Sequence, residues 1–370
     1  MTRQLQRIFV LALALAIVGG NAASGLAAQA ADEVADGQWF HNYLHTTEAH
    51  RTTDGTGVLV AVLDTGVAHH PDIDASMVPG FDITGVGSPD GRTDTDGHGT
   101  SMAGLIAANG RVHGIAPGAK VMSVRVQESG EGGLTGRGSL EAGIRWAVEH
   151  HASVISISLG GEFTITVRNA LVMAAEADVV VVAAAGNTPE AGQVEYPASQ
   201  PGVIAVGGVD RNGNHSKISV NGKELVIAAP SDDISSTYLA GKWGHGSGTS
   251  NSTAIVAGAA ALIRSKYPDM SATEVIHRLT ATATDKGPKG RDDQYGYGVI
   301  NLVAALTANV PPLTPSAAPS AAAPSTPPTT NAEAPADKPL NLGILLAGLA
   351  GLLVLVALIA GAVVIAGRRS

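Results

Sequence analysis

Cysteine is absent from all 370 residues. That excludes disulfides, thiolate catalysis and cysteine-ligated zinc. It is compatible with a place outside the cytoplasm without requiring one. Charge is also scarce, at 15% of residues, and positive charge is in the minority, leaving a net −9. An acidic chain lacks the basic surface that nucleic acid binding needs, so no nucleic acid partner is expected. Low charge also argues against a disordered chain. What is abundant instead is glycine (46 residues) and alanine, as in a close-packed domain with many tight turns.

Long apolar runs occur at the two ends. Arg3 and Arg7 precede "IFVLALALAIVGG", and small residues follow, ending in "AQA". This pattern reads residues 1–30 as a cleavable signal peptide. The alternative is an N-terminal anchor, for which the run is short against the about 20 residues a bilayer needs. Near the other end, "LGILLAGLAGLLVLVALIAGAVVIA" is uncharged and long enough to span, and Arg368 and Arg369 follow it. The expected layout is a single folded domain at 31–310, a linker rich in Pro, Ala, Ser and Thr at 311–340, a transmembrane helix at 341–367 and a cytoplasmic tail at 368–370. The location expected from this layout is the cell membrane, single-pass, with the domain outside.

Within 31–310, apolar β-branched runs alternate with helical patterns. Candidate strands are "GVLVAVL" before Asp64, Lys120–Val126, Ser153–Leu159, Asp178–Gly186 and Gly202–Val209. Candidate helices are Gly99–Ala108, Ser139–His151 and Thr166–Ala177. Strands apolar at nearly every position are buried on both faces, so the fold class is α/β, a doubly wound, mostly parallel sheet. Sites in such sheets form beyond the C-terminal strand ends.

Four signals lie at such places. Asp64 opens "DTG" after a strand; His98 sits in "DGHGTSMAG" ahead of a helix; Asn187 closes "AAAGN"; Ser250 opens a long apolar helix in "GTSNSTAIVAG". Singly, each has a structural explanation as a turn, cap or packed residue. Together, an acid, a base, an amide donor and a hydroxyl at converging positions point to nucleophilic acyl transfer.

With these blocks in order, the sequence resembles the subtilisin-like serine peptidases. The resemblance extends through "GIAPGAKVMSVRV", "SVISISLGG", "EYPASQPGVIAVGGVD" and "YGYGVINLVAAL", over about residues 38–306. The layout, with its early "QWF" segment, short N-terminal region, Pro-rich linker and terminal apolar helix, is similar to the mycosins of type VII secretion. The absence of cysteine departs from that group's usual pattern. The resemblance implies a catalytic triad of Asp64, His98 and Ser250, with Asn187 in the oxyanion hole. It implies an extended peptide substrate paired against Ser158, Leu159 and Gly160 on one side and Gly132, Gly133 and Leu134 on the other. The first specificity pocket is then walled by "SLGG" and by Ala184 and Gly186, with Glu195 near its floor. A carboxylate there favours a basic P1 side chain; the alternative is an exposed loop glutamate.

The resemblance implies no required cofactor and no catalytic metal. Structural calcium is known in such folds, but no loop spacing around Asp90, Asp94 and Asp96 specifies a site. The pairs His69/His70 and His150/His151 read as surface residues. After "GTS" the pattern departs from the family, since Asn251, Ser252 and Ala254 replace small apolar residues and a proline. None of these changes removes a triad atom. The functional expectation is a membrane-anchored endopeptidase outside the cytoplasm. The alternative is a scaffold subunit of a type VII secretion assembly that keeps the peptidase fold with little proteolysis.

Overall fold

Seven parallel strands carry the fold: β1 (Leu59–Asp64), β2 (Met77–Asp82), β3 (Lys120–Arg125), β4 (Val154–Ile157), β5 (Val180–Ala184), β6 (Ile204–Val209) and β7 (Ile227–Pro230). Their order across the sheet is β2-β3-β1-β4-β5-β6-β7. These elements belong to a computed structural model that describes residues 33–128 and 139–313. The expected signal peptide, Gly132–Leu134, the linker beyond residue 313, the terminal apolar helix and the tail lie outside the described residues. No helix among the described residues is long and apolar enough to cross a membrane.

The doubly wound arrangement follows from strand periodicity. Successive strand side chains point to opposite faces. On one face Val60, Val62, Val180, Val182, Ile204 and Val206 pack with helices α3 (His98–Ala107) and α6 (Thr249–Lys266). On the other, Ala61, Leu63, Ile155, Ile157, Val181 and Ala183 pack with α4 (Leu140–Glu149) and α5 (Ile165–Glu176). Because both faces are covered, β5 and β6 are apolar throughout, and β1 and β4 are so but for Asp64 at the end of β1 and Ser156 within β4. Helix α6 is buried on every side from Asn251 to Arg264. Small residues make that possible: a Cβ on Gly258 would stand 2.6 Å from Ile115 Cβ. Other helices include α1 (Phe40–Tyr43), α2 (Thr46–Ala49), α7 (Ala272–Ala281) and α8 (Leu302–Thr307).

Two features escaped the periodicity. Strand β2 is an edge strand with a register shift between Val78 and Phe81, so its pattern is irregular. An antiparallel hairpin, β8 (Ile234–Thr237) with β9 (Trp243–Gly246), stands apart from the main sheet. It is tied to α3 by Ser236 Oγ donating to the Ser101 carbonyl and Thr237 Oγ1 to the Thr100 carbonyl, both at 2.7 Å. The segment ahead of β1 is fastened to the domain. Asp36 pairs with Arg211 through two bonds of 2.9 and 2.7 Å, and Trp39 donates to the Asp232 carbonyl.

The histidine pairs divide differently from expectation. His70 is buried, not a surface residue: its Nδ1 accepts from Asp72 N and its Nε2 meets the Lys242 carbonyl at 3.0 Å. Those two partners supply what burial of an imidazole demands. His150 is exposed and stacks on Trp146.

Candidate active site

Asp64 is the last residue of β1 and is almost wholly buried. Its Oδ1 accepts from His98 Nδ1 at 2.7 Å and from Thr65 N at 2.8 Å. Its Oδ2 meets no hydrogen-bond donor among the described residues. The turn that follows needs glycine at position 66. Its φ is +107°, and a Cβ there would lie 2.0 Å from the Thr93 carbonyl oxygen.

His98 opens α3, and Asp94 sets its position. One Asp94 oxygen accepts from Asp96 N, Gly97 N and Thr65 Oγ1; the other accepts from Thr100 N and Thr100 Oγ1. The carboxylate thus satisfies orphan donors at a helix start, where negative charge is also favoured. Gly99 lets this helix approach β1, since a Cβ would meet the Gly66 carbonyl at 2.1 Å. Burial alone pulls the His98 imidazole down from its ordinary 6.5. The Asp64 carboxylate outweighs that, and with Asp96 and Asp94 it brings the group up to about 9.

Ser250 lies in the first turn of α6, where backbone N–H groups have no intrahelical acceptor. Its hydroxyl donates to the Ser158 carbonyl at 3.4 Å. Asp64 and His98 are therefore joined, whereas no Ser250–His98 hydrogen bond is present among the described residues. Asn187 follows β5, and its orientation is fixed by Thr249. The Asn187 Oδ1 accepts from Thr249 N at 2.9 Å and Thr249 Oγ1 at 3.1 Å. With the oxygen so engaged, the amide NH2 is turned toward the Gly248–Ser250 turn: a Cβ on Gly248 would stand 3.4 Å from Asn187 Nδ2. An amide donor beside Gly248 and a helix N-terminus therefore lie within two residues of Ser250 in the same turn. Ser247, the other hydroxyl nearby, is exposed and accepts from Asp233 N.

The residues after Ser250 are the main surprise. Asn251 is buried and donates through Nδ2 to the Ser231 carbonyl at 3.0 Å and the Gly246 carbonyl at 3.1 Å. Ser252 Oγ reaches the Ala229 and Pro230 carbonyls at 2.9 and 3.1 Å. Both polar side chains tie α6 to the ends of β7 and β9. Arg125 was also missed. Buried at the end of β3, it pairs with Asp82 and donates through Nε to the Thr65 carbonyl beside Asp64. An arginine at the end of an apolar run was the only available signal.

Among the expected substrate contacts, Ser158 lies next to Ser250 and Leu159 is buried beyond it. Glu195 bridges the two expected pocket walls. A Cβ on Gly160 would stand 2.2 Å from Glu195 Oε2, and one on Gly186 would stand 2.9 Å away. The Glu195 carboxylate makes no ion pair or hydrogen bond among the described residues, and burial pushes its pKa up. It lines a cavity of about 490 Å³ with Gly161, Phe163, Glu190 and Tyr196.

Comparisons with known proteins agree with this geometry. The family model of the subtilase family matches residues 55–298. Subtilisin DY of Bacillus licheniformis is 40% identical over 259 residues, spanning 68% of this chain and 91% of its own. Among solved structures, the serine protease MycP1, an essential component of the type VII (ESX-1) secretion system, aligns with a TM-score of 0.65 at 34% identity. That match covers 73% of this chain and 88% of MycP1. MycP1 from Mycobacterium smegmatis aligns with a TM-score of 0.65 at 29% identity, covering 80% and 89%.

Proposed function

The chain is a serine endopeptidase of the subtilase family, similar in structure to the mycosins, and we propose that it works anchored in the cell membrane with its catalytic domain outside. In this reading Ser250 attacks the peptide carbonyl and His98 takes its proton, then delivers that proton to the leaving amine. Asp64 fixes the His98 tautomer and stabilises the imidazolium. Asn187 Nδ2 and the Ser250 N–H receive the developing oxyanion. Water then releases the acyl group by the reverse proton path. These steps use side chains and backbone alone and require no cofactor.

The observation that carries the reading is the 2.7 Å bond between His98 and buried Asp64, with Asn187 held by Thr249 beside the same serine. Attack requires the Ser250 hydroxyl to leave the Ser158 carbonyl for His98. Catalytic hydrogen bonds commonly tighten only once substrate is bound. Anchoring rests on the uncharged run at 342–366 and the arginines after it. The likeness to MycP1 supports a type VII secretion context. Glu195, unpaired beside Gly160 and Gly186, supports a basic P1 residue.

The test uses the full-length chain in isolated membranes, beside its Ser250→Ala variant. A fluorophosphonate probe should label only the parent, in the membrane fraction. Protease added outside intact cells should digest the labelled domain. A folded parent that does not label would support the scaffold role instead.

A further inference from the structure

Arg125 is a cation at the end of β3 with only 3% of its surface exposed. Buried ion pairs are often no more stabilising than apolar residues of the same volume. The pair with Asp82 therefore does not by itself explain why an arginine stands there. Three strand ends meet in one row at this point. In the parallel register Arg125 lies beside Asp64 of β1 on one side and Asp82 of β2 on the other.

The guanidinium fork divides between those neighbours. Nη1 donates to Asp82 Oδ2 at 3.2 Å and to Thr84 Oγ1 at 3.1 Å, while Nε donates to the Thr65 carbonyl at 3.1 Å. The loop at 82–87 is shaped around the pair. Asp82 accepts from Thr84 N at 2.8 Å and from Gly87 N at 2.7 Å, and a Cβ on Gly87 would lie 2.7 Å from Arg125 Nη1. Burial pushes the Asp82 carboxyl up, but Thr84, Arg125 and Gly87 outweigh it and hold the group below its ordinary value. The fork is thus anchored on a charged carboxylate.

Thr65 is what the fork holds. Its N–H donates to Asp64 Oδ1 at 2.8 Å; its hydroxyl donates to Asp94 Oδ1 at 3.0 Å and accepts from Gly99 N at 3.1 Å. One residue therefore touches the Asp64 carboxylate, the Asp94 carboxylate and the backbone next to His98. Arg125 supplies its contact from β3.

We propose that Arg125 is a positioning residue, which through the Thr65 carbonyl sets the Asp64 carboxylate against His98 Nδ1. This rests on the endopeptidase reading above and adds a residue to it that is no part of the proton path. Lysine cannot take its place. A single ammonium on a flexible stem brings charge to Asp82 but has no second donor in fixed geometry for Thr65. Lost positioning appears in kcat, where His98 moves its proton, and not in KM.

The test uses the full-length enzyme in detergent, with active sites counted by fluorophosphonate labelling to completion. Rates per labelled site do not depend on how much of a variant folds. Arg125→Lys should keep KM and lower kcat per site by about tenfold. Asp82→Asn keeps an acceptor for Nη1 but loses the charge, and should lower kcat per site by about threefold. A kcat per site in Arg125→Lys equal to the parent's, or a loss confined to KM, means that the arginine serves only the fold and overturns the proposal. If Arg125→Lys does not label, Asp82→Asn decides by the same two criteria. A parent that labels beside two variants that do not also overturns it. In all these results the labelled parent keeps the endopeptidase reading. A parent that neither labels nor cleaves overturns both.

Discussion

Ser158 and Ser250 exchange hydrogen bonds: Ser158 Oγ donates to the Ser250 carbonyl at 3.2 Å, and Ser250 Oγ donates to the Ser158 carbonyl at 3.4 Å. The end of β4 and the first turn of α6 are thereby joined at Ser250. Removing the Ser158 hydroxyl costs one bond but leaves its carbonyl in place. Ser158→Ala should lose about 1 kcal/mol of stability, or about 2–4 °C in Tm, with kcat/KM falling less than tenfold. A thousandfold loss in kcat would mean that this hydroxyl takes part in the chemistry.

Asn187 is held by Thr249 through its side-chain oxygen, and its Nδ2 lies beside Gly248. Loss of one such donor in subtilisin costs about 10²–10³ in turnover, and Asn187→Ala should do the same with little change in KM. Thr249→Val should cost much less, because the Thr249 backbone N–H still holds Asn187 Oδ1 at 2.9 Å. Steady-state kinetics on both variants would separate the two effects. A rise in KM with kcat preserved would argue against oxyanion binding.

Asn251 offers a stability prediction. Its amide spans two carbonyls, on Ser231 and Gly246, inside the protein. Asn251→Leu keeps the volume but leaves those acceptors without this donor, so stability should fall by about 1–3 kcal/mol. Thermal melts of the full-length chain would show it. An unchanged Tm would mean that the two carbonyls find other partners.

The pH dependence follows from His98. A general base acts when neutral. Burial lowers its pKa, but Asp64, Asp96 and Asp94 carry it up to about 9. Activity in kcat/KM should therefore rise with pH through about 9 instead of levelling above 6.5. Asp96→Asn removes one negative charge beside the imidazolium, so the acid limb should move to lower pH. A limb already near 6.5 in the parent, or one that Asp96→Asn shifts upward, would contradict this electrostatic account.

The sheet and the chain positions of Asp64, His98, Asn187 and Ser250 were readable because their signals are local. A strand buried on both faces is apolar at nearly every position, as β1, β4, β5 and β6 are apart from Asp64 and Ser156. Gly66 and Gly99 announce backbone approaches that no Cβ would permit. The irregular edge strand β2 and the β8–β9 hairpin were not legible, since a register shift and a polar hairpin break the period that sequence reading depends on.

The sequence by itself determined the α/β class, the chain order of Asp64, His98, Asn187 and Ser250, and the absence of thiol chemistry. Each depends on residue identity or on the alternation of neighbours along one segment. Only the tertiary structure decided what the residues around them do. Asn251 looked like drift until packing set it under Ser231 and Gly246. Asp94 looked like one acid in a loop cluster until folding wrapped it in five donors. Glu195 became a pocket group because residues 160 and 186, far from each other in the chain, carry no side chain where its carboxylate lies. Hydrogen bonds and Coulomb interactions act over a few ångströms of space, and which groups come that close is set by the order of strands in the sheet.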